Sequence, residues 1–154
     1  MNVIEALKSK NLTISTAESL TAGLVASNIC SISGASNYFK GGIVAYTKEI
    51  KCKLLGLKMN DINKYSVYSF ETVSSMALGV KKLTGSDIAI ATSGVAGPGD
   101  DEGVKAGVVY FCIRIKDKKF LYKEKFNGNR NEVRDEASMF IINKLIEILG
   151  DNHN

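Results

Sequence analysis

The segment Ile88-Ala89-Ile90-Ala91-Thr92, entered from Asp87, is apolar or β-branched at every position and runs straight into Ser93-Gly94-Val95-Ala96-Gly97-Pro98-Gly99. A run this short and this apolar reads as a buried strand, and a buried strand needs a sheet around it and helices over it. Three glycines and the chain's only proline fall within the seven residues that follow. A glycine-rich loop at the carboxyl end of a buried strand is where open α/β sheets bind ligands. Gly94 and Gly97 let backbone N–H groups approach an anion or a developing oxyanion, and Ser93 adds a hydroxyl. The other reading of the loop is a plain connection.

The rest of the chain supplies the cover. Val3 to Lys10, Leu20 to Ile29, Glu71 to Leu83 and Arg130 to Leu149 read as helices, with Val73, Met76, Ala77 and Val80 on one face of the third. Lys48 to Leu55 reads as a helical turn ended by Gly56, and Asn129 and Glu132 have capping-box spacing at the start of the last helix. Leu12 to Thr16 and Ile43 to Tyr46 read as strands. Gly107 to Ile115 and Lys119 to Phe126 form a hairpin about the Lys116-Asp117-Lys118 turn. Ser31 to Ser36 reads as a loop. The order predicts one α/β domain over 1–154, a single mixed β-sheet covered by helices.

Composition narrows the function classes. At 154 residues, 45% apolar and 23% charged, the chain fits one globular domain without disulfide or metal staples. Cys30, Cys52 and Cys112 are odd in number and lack metal-ligand spacing, and no apolar run reaches membrane length, so a reduced, cytoplasmic setting is expected. A net charge of +4 without interleaved basic and aromatic residues argues against nucleic acid and suits a small anionic ligand. The only histidine, His153, lies in the terminal tail, which excludes Ser-His-Asp, Cys-His and His-metal chemistry. Walker, Rossmann and nucleophile-elbow patterns are absent.

A serine hydrolase without histidine commonly takes lysine or tyrosine as its base, because burial disfavours charged lysine. Ser36 sits in a glycine-flanked loop, and Tyr46, Lys48 and Lys51 follow a strand later. A loop, a strand returning beside it and a short helix would bring Ser36, Tyr46 and Lys51 together. The alternative is a turn serine, a core tyrosine and a surface lysine. Asn127-Gly128-Asn129-Arg130, with Arg134 one turn on, forms a helix start able to hold phosphate or only to be solvated. Asp100-Asp101-Glu102 reads as a solvated loop rather than a Mg²⁺ site.

With these segments in place, the chain resembles the C-terminal domain of the competence-damage protein CinA over nearly its whole length. The blocks that carry the resemblance are Thr16-Ala17-Glu18-Ser19, Ser33-Gly34-Ala35-Ser36-Asn37-Tyr38-Phe39, Gly42-Ile43-Val44-Ala45-Tyr46, Leu54-Leu55-Gly56, Thr92 to Gly99 and Gly128-Asn129-Arg130. The resemblance implies a three-layer α/β/α sandwich, usually a homo-oligomer, with no metal or organic cofactor. It implies a nicotinamide-nucleotide amidase that converts nicotinamide mononucleotide to nicotinate mononucleotide and ammonia in pyridine-nucleotide recycling. Ser36 then matches the nucleophile, Tyr46 and Lys51 the groups that activate it, Ser93 the loop hydroxyl, and Arg130 an arginine near substrate. A nucleotide-binding or regulatory module without turnover is the alternative within that family. A Cys52 amidase, with the thiol beside Lys51, is a further one. Leu20, Ala22, Lys48, Phe70 and Ala106 depart from the family pattern, and Lys48 does so inside the proposed catalytic segment.

Overall fold

The computed structural model describes residues 1–151; His153 lies outside them. Three parallel strands, β1 (Ile14–Glu18), β2 (Phe39–Val44) and β3 (Ile88–Gly94), are extended by an antiparallel pair, β4 (Val108–Ile115) and β5 (Lys118–Lys125). Their order across the sheet is β2-β1-β3-β4-β5. Helices α1 (Val3–Lys10), α2 (Leu24–Cys30) and α6 (Arg130–Gly150) cover one face. Helices α3 (Lys48–Leu55), α4 (Met59–Tyr65) and α5 (Phe70–Thr84) cover the other. The fold is the α/β sandwich with one mixed sheet that the sequence implies.

The alternation along β3 explains the two unequal layers. Ile88 and Ile90 point into a large-residue core with Phe111, Leu7, Ile141 and Leu145. Ala89 and Ala91, with Ala17 of β1, face α5. Small residues on that face let α5 come close to the sheet, and its Val73, Met76, Ala77 and Val80 are all buried there. On a flank of α5, Gly79 lies against the end of α3, where an added Cβ would stand 2.2 Å from Leu55 O.

Several boundaries differ from the sequence reading. The second helix starts at Leu24 rather than Leu20, because Ala22 (φ 47°) and Gly23 (φ 97°) sit in the left-handed region and cannot continue a helix. β1 runs two residues later than expected, to Glu18, and β2 runs from Phe39 and stops at Val44, two residues before Tyr46. A 3-10 turn spans Ala35–Asn37, across the end of the predicted loop. Helix α4 was not foreseen: Ile62 is its only buried residue, so it carries no apolar period. By contrast α3 matches its predicted span, and the Asn129–Glu132 capping box of α6 forms reciprocally. No helix among the described residues is long and apolar enough to cross a membrane.

The Gly79 contact yields a stability prediction. Gly79→Ala gains helix propensity of about 1 kcal/mol but forces α3 and α5 apart, at a cost of about 1–3 kcal/mol or more. Urea unfolding should show a net loss; a variant as stable as wild type would mean the helices are not in the close contact described.

Candidate functional site

Because β1, β2 and β3 are parallel and in register, with Glu18 level with both Val44 and Thr92, their carboxyl ends open on one edge of the sheet. The next residues along each chain segment, Ser19, Ala45-Tyr46 and Ser93-Gly94, therefore meet there. A cavity of about 320 Å³ occupies this edge, lined by Ser19, Tyr46, Tyr68, Gly97, Asp101 and Arg130 among others. Gly94 must be glycine, since a Cβ there would stand 2.6 Å from Val108 O.

Lys51 rises beneath this cavity. Thr47 caps α3 by accepting from Ile50 N, and one turn later Lys51 and Leu55 are the helix's buried pair. Lys51 is 1% exposed. Its Nζ donates to Ser19 Oγ at 3.0 Å and to Tyr46 O at 3.2 Å. Burial, and secondarily the positive charge of Lys48, pull its pKa down to about 8. Lys48, the departure from the family pattern, thus favours the neutral amine, and its own ammonium pairs with Glu102 at 3.1 Å.

The residues singled out from sequence fall into two groups. Tyr46, Lys51, Gly94, Gly97 and Arg130 come together. Arg130 donates through Nη2 to Tyr46 Oη at 2.7 Å and through Nη1 to Gly97 O at 2.6 Å, closing one side of the cavity. The Tyr46 phenol is half exposed at the mouth, so it is the Tyr46 carbonyl, not the hydroxyl, that touches Lys51. Ser93 is fully buried and donates to Val67 O at 2.8 Å; it does not line the cavity.

Ser36 does not join them, which corrects the expected loop–strand–helix juxtaposition. It is exposed in the 3-10 turn before β2, next to Gly34, whose added Cβ would meet Ile4 of α1. The whole of β2 separates it from Tyr46, roughly 20 Å at about 3.3 Å per residue. Strand direction is the cause: Ser36 precedes the amino end of β2 and Lys51 follows the carboxyl end. Cys52 packs at the margin of the second core and does not line the cavity.

The serine that does meet Lys51 is Ser19, which the sequence marks only as part of the Thr16-Ala17-Glu18-Ser19 block. The usable signal was its place as the first residue after a buried strand. Tyr68 was also missed, and Asp101 was read only as part of a solvated loop; Tyr68 Oη donates to Asp101 Oδ2 at 2.5 Å, and burial with that bond pushes the phenol's pKa up. The acidic trio is divided among separate partners: Asp100 accepts from Ala106 N, Asp101 from Tyr68 and Glu102 from Lys48. Ala106, where the family pattern has proline, supplies an N–H that proline lacks. Among the described residues, the N–H groups of Leu20, Ala96 and Gly97 in the cavity wall donate to no acceptor in the chain. A second cavity of about 380 Å³ adjoins the first across Ala96, Gly97 and Arg130 and reaches the start of α6.

The lowered pKa has a stability consequence of definite sign. Lys51 titrates lower folded (about 8) than unfolded (about 10.5), so burying it charged destabilises the fold below pH 8, and that cost fades as pH rises toward 10.5. Lys51→Met should therefore be more stable than wild type at pH 7, on the order of 1–3 kcal/mol. The gap should narrow at pH 9.5; thermal melts at the two pH values decide it.

Comparison with known proteins gives a consistent family. Residues 1–149 match the model of the CinA C-terminal domain. A CinA-like protein of Kosmotoga olearia is 41% identical over 141 residues, 91% of this chain and 34% of that protein. A putative competence-damage inducible protein of Bacillus subtilis is 39% identical, over 94% of this chain and 35% of its own length. The chain thus spans about a third of these relatives. A Mycoplasma pneumoniae protein, 39% identical, is covered over 96% of its length. The crystal structure of a CinA superfamily protein from Klebsiella pneumoniae superposes with a TM-score of 0.94 at 32% identity, covering 96% of this chain and 93% of that one.

Proposed function

This chain belongs to the CinA C-terminal domain family, and from that premise and the site geometry we propose that it is a lysine-activated serine amidohydrolase. Its substrate on this reading is nicotinamide mononucleotide, hydrolysed to nicotinate mononucleotide and ammonia. The single observation that carries the reading is a buried Lys51 amine with pKa near 8, held 3.0 Å from Ser19 Oγ. A neutral lysine beside a serine hydroxyl, at the bottom of a cavity walled by free backbone N–H groups, is the equipment of acyl transfer.

Each group has a task. The Tyr46 carbonyl holds one Lys51 N–H, which leaves the amine's lone pair toward Ser19. Ser19 Oγ attacks the carboxamide carbon as Lys51 takes its proton. The oxyanion is received by N–H groups of Leu20, Ala96 or Gly97. Lys51 then returns the proton to the leaving nitrogen, and ammonia departs. Water repeats the sequence on the acyl-enzyme, its proton passing through Lys51 back to Ser19 Oγ, and the carboxylate is released. Arg130, shared by the two adjoining cavities, is the cation placed to meet the substrate's phosphate while the ring lies between Tyr46 and Tyr68.

Two assays test this. Ammonia release from nicotinamide mononucleotide should fall at least about 10³-fold in Ser19→Ala and in Lys51→Ala, and less than about threefold in Ser36→Ala. A large loss in Ser36→Ala with activity kept in Ser19→Ala would sink the assignment, and nucleotide binding without any ammonia would leave a module rather than an enzyme. Second, kcat/KM should rise with pH to a plateau with its midpoint near 8, about a tenth of the plateau being reached at pH 7. A flat profile would exclude Lys51 as the base.

A further inference from the structure

The Ser19 backbone is tied to a buried carboxylate by a chain of hydroxyls that the reaction itself does not use. Ser19 N–H donates to Thr92 Oγ1 at 3.2 Å and to Thr92 O at 3.1 Å. Thr92 Oγ1 lies 2.9 Å from Thr21 Oγ1, and Thr21 Oγ1 donates to Glu18 Oε1 at 2.7 Å. Glu18 also accepts from Val25 N at 2.8 Å and Ala26 N at 3.0 Å, at the start of α2. Glu18 is 1% exposed, and Thr21 and Thr92 are fully buried.

The direction of this chain is fixed by counting protons. A carboxylate has none to give, so the single Thr21 hydroxyl proton goes to Glu18. Thr21 is then the acceptor in its contact with Thr92, and Thr92 is left to accept from Ser19 N–H. The only consistent order is Ser19 N–H to Thr92, Thr92 to Thr21, Thr21 to Glu18. Each link polarises the next in a buried site, and a break leaves an unpaired buried hydroxyl.

We propose that Glu18, acting through Thr21 and Thr92, is the positioning residue of the nucleophile. The relay has two effects on the site. It fixes the rotation of the Ser19 backbone, so that Oγ faces Lys51 from above. It also occupies the Ser19 N–H, which leaves the oxyanion to the N–H groups of Leu20, Ala96 and Gly97. The relay crosses from β1 to β3, so the serine keeps its place relative to the glycine-rich loop as well as to Lys51. Arg134, from α6, holds the same turn on its other side by donating through Nε to Leu20 O at 2.8 Å.

This proposal rests on Ser19 being the nucleophile, and its test separates the two. Thr21→Val keeps the shape and removes the relay hydroxyl; Thr21→Ser keeps the hydroxyl. Two readouts are taken on the full chain: turnover of nicotinamide mononucleotide, and the rate at which an alkyl fluorophosphonate is captured at Ser19. In the capture a Ser19 Oγ–P bond forms, fluoride leaves, and the hydroxyl proton passes to Lys51. Thr21→Val should lower kcat and the capture rate about 10–100-fold with KM within about twofold, the scale of lost alignment rather than lost chemistry. Thr21→Ser should restore both to within about threefold, and Thr92→Val should repeat the loss from the other side of the sheet. Unimpaired Thr21→Val, or Thr21→Ser as poor as Thr21→Val, would overturn the relay. Capture that follows this pattern without ammonia release would keep the relay and reject the nicotinamide substrate. No capture at Ser19 in wild type would overturn the relay along with the nucleophile.

Discussion

The buried amine of Lys51 is the constraint around which the rest of the molecule is arranged. A lysine 1% exposed is unfavourable while charged, and its two hydrogen bonds, to Ser19 Oγ and the Tyr46 carbonyl, do not neutralise it. The structure holds it there because Lys51 shares its helix face with Leu55, and Leu55 belongs to the core beneath α5. Moving the amine out would expose that apolar contact. Lowered basicity is the outcome of this compromise, and it is the property that a general base at neutral pH requires.

A parallel sheet makes the compromise useful. The three strands that end in register bring three separate stretches of chain to one edge, each leaving its strand with a turn rather than a straight continuation. At Ser19 the turn is fixed by Glu18 and the threonines, at Tyr46 by the cap of α3, and at Gly94 by close approach to Val108. The antiparallel pair β4 and β5 completes the sheet on the side away from β2, and the loop before β4 carries Asp101 to the cavity, with Glu102 next to it in the chain. There both are tied down, to Tyr68 and Lys48. The alanine face of β3 has a part in this too: it lets α5 lie close to the sheet, and the chain entering α5 supplies Tyr68 to the cavity wall.

Legibility from sequence followed the range of the interaction. The span of α3, read as a helical turn, was legible because its stop is local: Gly56 ends it with φ 76°. The capping box of α6 was legible for the same reason. The glycine-rich loop was placed at the right end of the right strand because β3 is buried on both faces. The predicted start of the second helix ignored a backbone conformation at Ala22 that no residue type announces. Arg130 and Tyr46 were both named, yet the bond between their side chains joins positions far apart in the chain and follows from no spacing. Ser36 shows the limit most plainly, since ten residues of separation look close on the page and span the length of a strand in space.

The sequence by itself determined the α/β class, most of the elements in their order, α4 excepted, and the two segments that end on the cavity edge of the sheet. Periodicity, caps and composition are properties of neighbours along the chain, so they survive without a structure. Which serine faces Lys51 was decided only by the tertiary structure. That choice depends on strand direction and register, which set the edge of the sheet where each residue emerges. Ser19 leaves the carboxyl end of β1 beside the carboxyl end of β2, and Ser36 stands before the amino end. Desolvation of the lysine is likewise a consequence of three elements meeting, and no residue in the sequence carries it alone.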